Sequence, residues 1–449
     1  MHAHTPSSQF ATPAMDEVFA VSSQLQYMTR FEWALLFSLE ANGIASAGAA
    51  SAMEPLLDAK FVDPLSLAEE ERLVGNLAIP FVRALTGAVR LHDEEAARYV
   101  HLGATSQDVL DTALVLQMHD GLALIRSDLQ KLEGSLAHLA REHAGTILSG
   151  RTWLQDGPPV TLGLKIAGLL AALRRHQERL ETAGTRAVVL QFGGAVGTLA
   201  ALVDKGTAVS AVLAQKLELA EPLLPWHTQR DNLVEIATCL GLLVGTLGKM
   251  ARDVSLLMQT EVGEVSEPAA EGRGVSSTMP HKRNPVASAA ILAVAARVPA
   301  LVSTLLHAMI QEHERGLGGW QAEWETLPEI FRLAAAAISR ANEIADGLEV
   351  DRDRMKANLE ATNGLVLTEA VSVALAEFVG RAQAHDLMEH AAKKAIQSKR
   401  RLREVLLEMP EIRKHLTDSG VDRLLDAQNY LGSTQEFIER VIGGADPFH

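Results

Sequence analysis

Aromatic side chains are scarce in this chain, only 4% of 449 residues, with three tyrosines among them. Strands draw on aromatic and β-branched residues, so a large sheet is disfavoured, and the abundant alanine and leucine favour packed helices. Cysteine is nearly absent. A single Cys239 excludes an internal disulfide or a cysteine zinc cage and points to a reducing, cytoplasmic compartment. Its neighbours in "EIATCLGLLVGTLGKMA" are apolar, so it reads as a small buried hydrophobe. Positive charge is in deficit: 41 Lys and Arg against 56 Asp and Glu leave a net charge of −15. Such a chain repels nucleic acid and anionic membranes, and an anionic ligand binds only where local cations overturn that field. The first residues, "MHAHTPSSQFATPAM", have neither the basic nor the apolar region of a signal peptide. His2 and His4 there are read as incidental rather than as metal ligands. The longest apolar stretch, "VASAAILAVAARVPALVSTLLHAMI", is broken by Arg297 and Pro299. It falls short of about 18 uninterrupted apolar residues and reads as a core helix, not a membrane span.

Apolar residues are plentiful, at 47%. The length exceeds what one core usually supports, so two or three domains are expected. Helical periodicity dominates. In "MTRFEWALLFSLEANGI", Phe31, Ala34, Leu35, Ser38 and Leu39 share one stripe, and Asn42-Gly43 supplies the stop. Long helices are expected over 108–145, 161–183, 231–265, 285–314 and 327–348. Helices this apolar are buried all round, in a large protein or against copies of themselves. The expected architecture is all-α in three helical domains: 1–108, a central long-helix bundle over 109–352, and 353–449. The basic run "KKAIQSKRRLREVLLEMPEIRKH" in the last of these is a solvated helix face.

Three separate stretches carry chemistry. "GRGVSSTMPHKRNP" (272–285) joins glycines, hydroxyls and cations, and Asn284-Pro285 is a helix-start signal. Lys282 and His281 then stand just before the positive pole of a helix, a place suited to an anion, with the glycines as hinges. In "HLGATSQDVLDTA" (101–113), Thr105 and Asp108 have capping-box spacing, and Thr105, Ser106 and the helix amides could hold a carboxylate. His101 alone reads as structural more often than catalytic. The third, "GRTWLQDGPPVT" (150–161), packs Arg151, Thr152, Trp153 and Gln155 ahead of a diproline loop. Trp153 reads as a buried indole, most often core, although flanking Arg151 and Gln155 would suit a polar pocket wall. "GGAVG" at 193–197 is too weak a glycine pattern to read as a nucleotide loop.

The loop "SSTMPHKRNP" closely resembles the signature of the fumarase/aspartase superfamily, and "HLGATSQDVLDTA" and "GRTWLQD" resemble its other two active-site regions. The resemblance covers nearly the whole chain, including "FGGAVGT" (192–198) and "NGLVLTEAVSVALAEFVGRAQAH" (363–385). It implies a homotetramer whose central helices form a twenty-helix core, sites drawn from three subunits, and no metal or organic cofactor. It also implies the shared chemical step, in which a base removes a proton beside a carboxylate and an aci-carboxylate dianion forms. The superfamily's base maps to Ser276, with Ser277 as its neighbour, and Lys282 and Asn284 map to the groups that stabilise the dianion. Gln155 would join them. Thr105, Ser106 and Arg151 would hold other carboxylates, with His101, Thr152, Met279 and Arg230 as further pocket residues. Val275 stands where a glycine usually precedes the first serine and stiffens that hinge.

One departure bears on the reaction. Most of these lyases carry a histidine where this chain has Trp153, and that histidine handles the proton on the departing group. Without it, a leaving group that needs no proton is expected, and a carboxylate is one at neutral pH. "RTWLQ", "LPWHTQRDN" (224–232) and "HERGLGGWQAEWETLPEI" (313–330) resemble a lactone-forming branch that serves aromatic-compound breakdown. The expected substrate is a small tricarboxylate. The rivals are an adenylosuccinate lyase-like elimination, against which "GNLAIPF" (75–81) lacks a His-Asp pair, and an inactive structural relative.

Overall fold

A computed structural model describes residues 9–269, 274, 279 and 282–443. Five long helices dominate it: Ser106–Glu142, Leu162–Ala187, Asp231–Leu257, Val286–Ala308 and Gly319–Gly347. Ahead of them, Val21–Ala41 buries Leu25, Met28, Phe31, Leu35 and Leu39 and gives way to Gly43 at φ 66°. This is the stripe and stop that the spacing predicts. Three long helices differ from expectation, and the fourth of the five ends at Ala308 rather than at 314. The third ends at Leu257, because a turn and a short strand take up the residues to Ser266. The fifth starts at Gly319 rather than at 327 and carries Pro328 inside it.

Contacts group the chain into two compact units. The first comprises residues 1–129, 175–248 and 290–339, and the second 130–174, 249–289 and 340–449. The expected boundaries at 108 and 352 fall beside the starts of the Ser106–Glu142 and Arg352–Ala361 helices. In the first unit, Phe19 and Phe331 lie 5.2 Å apart between ring centres within a core that includes Met15, Met28 and Phe31. In the second, the helices Thr368–Val379, Arg381–Ser398 and Leu402–Glu408 close over Leu375, Met388, Leu402, Leu406 and Ile412. Cys239 is buried, as its neighbours predict, and burial, with Glu235, pushes its thiol up.

Among the described residues the strands form two short antiparallel ribbons. "GRTWLQDGPPVT" is a hairpin rather than a diproline loop: Ile147–Thr152 pairs with Gln155–Thr161, from Ile147↔Thr161 to Thr152↔Gln155. Pro158 and Pro159 are accommodated because a two-stranded ribbon has free edges. The second ribbon pairs Val265–Ser266 with Glu349–Val350.

Asp231–Leu257 and Val286–Ala308 are long and apolar enough to cross a membrane by length and composition alone. Averaged over the helix, Arg297 and Pro299 do not offset the apolar residues, which revises the expectation from uninterrupted runs. Within the chain, 61% of the most apolar stretch of the first is buried, but only 33% of the second. The helix Val286–Ala308 therefore presents an uncovered apolar surface.

One buried histidine makes the fold pH-sensitive. His176 lies 2.8 Å through Nε2 from Thr246 Oγ1, and Arg179 donates to its Nδ1 at 3.3 Å. Burial, then Arg179 and Arg175, push the imidazole down to about 4. In the unfolded chain it titrates near about 6.5, so the unfolded state binds a proton that the folded state refuses. The contribution is complete above about pH 6.5 and is lost as pH falls toward 4. Going from pH 7 to 5 should remove about 2 kcal/mol through this group alone. Urea unfolding of wild type and His176→Gln across that range should show a flatter pH dependence in the variant. Equal slopes would contradict the assignment.

Candidate active site

In the first unit, the stretch that opens the Ser106–Glu142 helix is organised around Asp108. This buried carboxylate accepts from Thr105 N–H at 3.0 Å, Gly193 N–H at 3.0 Å and Gly194 N–H at 2.8 Å. His227 Nε2 approaches it at 2.7 Å. The Thr105 contact is the half of the capping box in which the third helical residue reaches back to the cap. The same acid engages the amides of "GGAVG", so those amides hold the protein's own carboxylate rather than a phosphate. Gly103 has φ 82°, and a Cβ there would stand 2.8 Å from Leu202 Cγ, so both backbone shape and space require glycine. Thr105 and Ser106 remain half-buried beside this anchor.

His101 precedes them at φ 62°, a left-handed conformation uncommon outside glycine. Its Nδ1 is 2.6 Å from Glu32 Oε1. Arg230 lies deeper. Its Nη1 and Nη2 donate to Asp111 at 2.6 and 3.1 Å, and its Nε donates to Glu323 Oε1 at 3.0 Å and Oε2 at 3.1 Å. Trp320 Nε1 and Gln107 Nε2 each donate to Asp111 at 3.0 Å, and Gln311 Nε2 to Glu323 at 3.1 Å. All three charged groups are buried. Burial pushes the Glu323 carboxyl up, although Arg230 pulls against it. The guanidinium is therefore committed to the protein's own acids.

In the second unit, Arg151 on the hairpin donates from Nη1 and Nη2 to the buried Glu264 at 2.9 and 2.7 Å. Glu264 also accepts from Asn358 Nδ2 at 2.9 Å. Thr152 and Gln155 are exposed. Trp153 and Leu154 form the two-residue turn, with φ 54° and 62°. Two-residue hairpin turns of this kind want Asn-Gly, because both central residues need positive φ. Holding two bulky side chains there costs about 1–3 kcal/mol each. Trp153 is 97% exposed and Leu154 72%. The expected buried indole is thus corrected: in this chain the tip projects two strained, uncovered apolar side chains.

The signature loop is framed at its neck. Asn284 donates to the Gly274 carbonyl from its backbone N at 3.1 Å and from Nδ2 at 3.0 Å. Gly274 has φ 64°, and a Cβ would stand 2.7 Å from Asn284 O. Arg283 donates to Glu349 at 2.7 and 2.9 Å. The Lys282 N–H donates to the Met279 carbonyl at 3.0 Å, and both side chains are exposed. Ser276, Ser277, Thr278, Val275 and His281 lie outside the described residues. The helix beyond the loop starts at Val286, as Asn284-Pro285 predicts, but Asn284 does not cap it. Glu267 does, accepting from Ala287 N–H at 3.0 Å, Ser288 N–H at 2.8 Å and Ser288 Oγ–H at 2.7 Å. The helix pole expected to hold a substrate anion is filled by the protein's own carboxylate.

Sequence reasoning missed five acids that organise these segments: Glu32, Asp111, Glu264, Glu267 and Glu323. Only Glu32 carried a signal, as an acid on an otherwise apolar stripe. Among the described residues no cluster of three His, Cys, Asp or Glu side chains could hold a metal ion. Predicted residues divide between the units: His101, Thr105, Ser106 and Arg230 in the first, and Arg151, Thr152, Trp153, Gln155, Met279, Lys282 and Asn284 in the second.

Residues 69–300 match the family model described as Lyase, and residues 364–441 match that described as Adenylosuccinate lyase C-terminus. The chain is 54% identical over 433 residues to the 3-carboxy-cis,cis-muconate cycloisomerase of Pseudomonas aeruginosa, covering 96% of this chain and 94% of that one. It is 52% identical to the enzyme of the same name from Pseudomonas putida, over 92% and 98%. The crystal structure of the 3-carboxy-cis,cis-muconate lactonizing enzyme from Pseudomonas putida superimposes with a TM-score of 0.92 at 50% identity, over 97% of each chain.

Proposed function

Given that the chain belongs to the Lyase family, that of the fumarase/aspartase superfamily, we propose that it cycloisomerises 3-carboxy-cis,cis-muconate to 4-carboxymuconolactone. The observation that carries this reading is end-to-end similarity, above half identical, to a relative named for that reaction. The hairpin tip supports it, because Trp153 offers no imidazole to protonate a departing nitrogen or oxygen.

In the lactonising direction one substrate carboxylate oxygen bonds to a double-bond carbon. The π pair moves toward the neighbouring carboxylate as an aci-carboxylate dianion, and the adjacent carbon then takes a proton. Three carboxylates become two and a lactone, so each turnover consumes one proton. The nucleophile is already ionised at neutral pH and needs no base. Ser276 is the proton donor to carbon in this reading, with Ser277 its nearest substitute. Lys282, Asn284 and Gln155 balance the dianion, Thr105 and Ser106 face the other carboxylates, and Arg151, paired with Glu264, is a positioning residue. Arg230, bound to Asp111 and Glu323, is a positioning residue. The chemistry calls on no redox step and no hydrolysis, so no cofactor is assigned. A role in aromatic-compound breakdown and a cytoplasmic location go with this reaction.

A second reading, adenylosuccinate lyase-like elimination, draws on the match over residues 364–441. A substrate panel separates the two. Loss of muconate absorbance on adding the purified chain, with adenylosuccinate and argininosuccinate untouched, is the expected result. Turnover of either succinate adduct without the muconate would overturn it, and any turnover excludes an inactive relative.

The reading includes a homotetramer with sites assembled from several chains. The uncovered apolar surface of Val286–Ala308 and the exposed Trp153-Leu154 tip support burial against further copies. Lys282→Ala and Thr105→Val should each be nearly inactive, yet mixing them after unfolding should restore measurable activity. Some mixed sites would then hold neither change. No rescue, or a monomer by light scattering, would remove the shared-site assignment.

A further inference from the structure

The apolar stripe of Val21–Ala41 is broken by Glu32, whose carboxylate is completely buried (residue exposure 1%). Both groups that bond it belong to one residue. Glu32 Oε2 accepts from the His101 backbone N–H at 3.0 Å, and Oε1 lies 2.6 Å from His101 Nδ1. A buried carboxylate is costly unless a cation and hydrogen bonds compensate it. The left-handed backbone of His101 turns its amide and its ring toward the same acid. Across the ring, Nε2 has no hydrogen-bond partner among the described residues, and the side chain is 21% exposed.

We propose that Glu32 is a positioning residue that holds His101 as an imidazolium, with its Nε2–H presented to a carboxylate of the substrate. The proposal rests on the tricarboxylate reaction assigned above and deepens it. His101 then serves as a fixed cation rather than as a base, and it adds positive charge where an acidic chain must overturn its own field. The charged groups facing the ring are Glu32, from the Val21–Ala41 helix, and Asp108, from the Ser106–Glu142 helix. Asp108 is itself held by His227 at 2.7 Å. Burial alone would push the imidazole down. The charge and hydrogen bond of Glu32, helped by Asp108, outweigh it and raise the net value above the ordinary one. A raised value keeps the cation to higher pH than an ordinary imidazole, and the charge is lost as pH rises past it.

The consequence falls on binding more than on chemistry. Glu32→Gln keeps the size of the buried group and removes its charge. It should raise KM about tenfold, as expected for loss of a charge-assisted hydrogen bond, with kcat changed much less. The alkaline limb of kcat/KM should move about one pH unit lower. Glu32→Asp should recover part of the loss. His101→Asn tolerates the left-handed backbone, and the double variant Glu32→Gln/His101→Asn should be no worse than His101→Asn alone. In the intact protein with labelled histidine, NMR should find the His101 titration above about 6.5 and lower in Glu32→Gln. Unchanged KM and pH limb in a folded Glu32→Gln, or additive losses in the double variant, would overturn the proposal. A His101 titration at its ordinary value, or one unmoved by Glu32→Gln, would overturn it without any assay. If the wild type fails to turn over the muconate, the reaction assignment falls, and the titration still decides the pairing by itself.

Discussion

Ser276→Ala should lower kcat by about 10² to 10⁴, the range expected when a positioned proton-transfer group is removed, while KM and folding stay near wild type. The dianion has no other acid placed for its carbon in this reading, and water cannot substitute for a positioned donor. A serine hydroxyl is a weak acid and a weaker base, so nearby cations must stabilise its alkoxide in the reverse direction. Lys282 supplies one in this reading, and its side chain is exposed. Gly274 and Asn284 close the neck of the loop with two hydrogen bonds, at 3.0 and 3.1 Å. The control is Ser277→Ala. A near-wild-type rate in Ser276→Ala, with loss in Ser277→Ala, would move the proton to the neighbour. Near-wild-type rates in both would remove serine from the chemistry.

Arg230→Ala should destabilise the fold by about 3–5 kcal/mol, the cost of breaking a buried pair and leaving its partner uncompensated. Two acids, Asp111 and Glu323, would then face each other in the first unit without a cation. Chemical denaturation of the variant should show an earlier midpoint, and activity should fall because the wall that carries Gln107 and Trp320 loosens. Arg230→Ala/Glu323→Gln should recover part of the stability by removing one orphaned charge. Normal stability with a raised KM would instead mean that the guanidinium touches substrate, as the sequence reading first held.

How much was legible depends on which interactions carry the element. The long helices were readable because burial repeats every three to four residues, and Phe31, Leu35 and Leu39 declare that spacing. Two of the candidate stretches stand out in the sequence because Gly103, Asn284 and the cation cluster mark unusual local demands. Exposure was not readable. Trp153 is apolar in any context, and only the turn at positive φ shows that it is held outward. Nor were distant acid partners. Glu267 caps a helix 20 residues on, and Glu32 reaches His101 across 69. Such pairs leave no spacing to read. Asn284-Pro285 shows the same limit locally: the helix start was right, but its cap comes from elsewhere.

The reaction itself is tested most directly by running it in D₂O with 3-carboxy-cis,cis-muconate and examining the product by NMR. The account predicts 4-carboxymuconolactone carrying one solvent-derived deuterium, on the carbon beside the carboxylate that bore the dianion. Substrate recovered unchanged, or an open-chain product without a lactone, would contradict it.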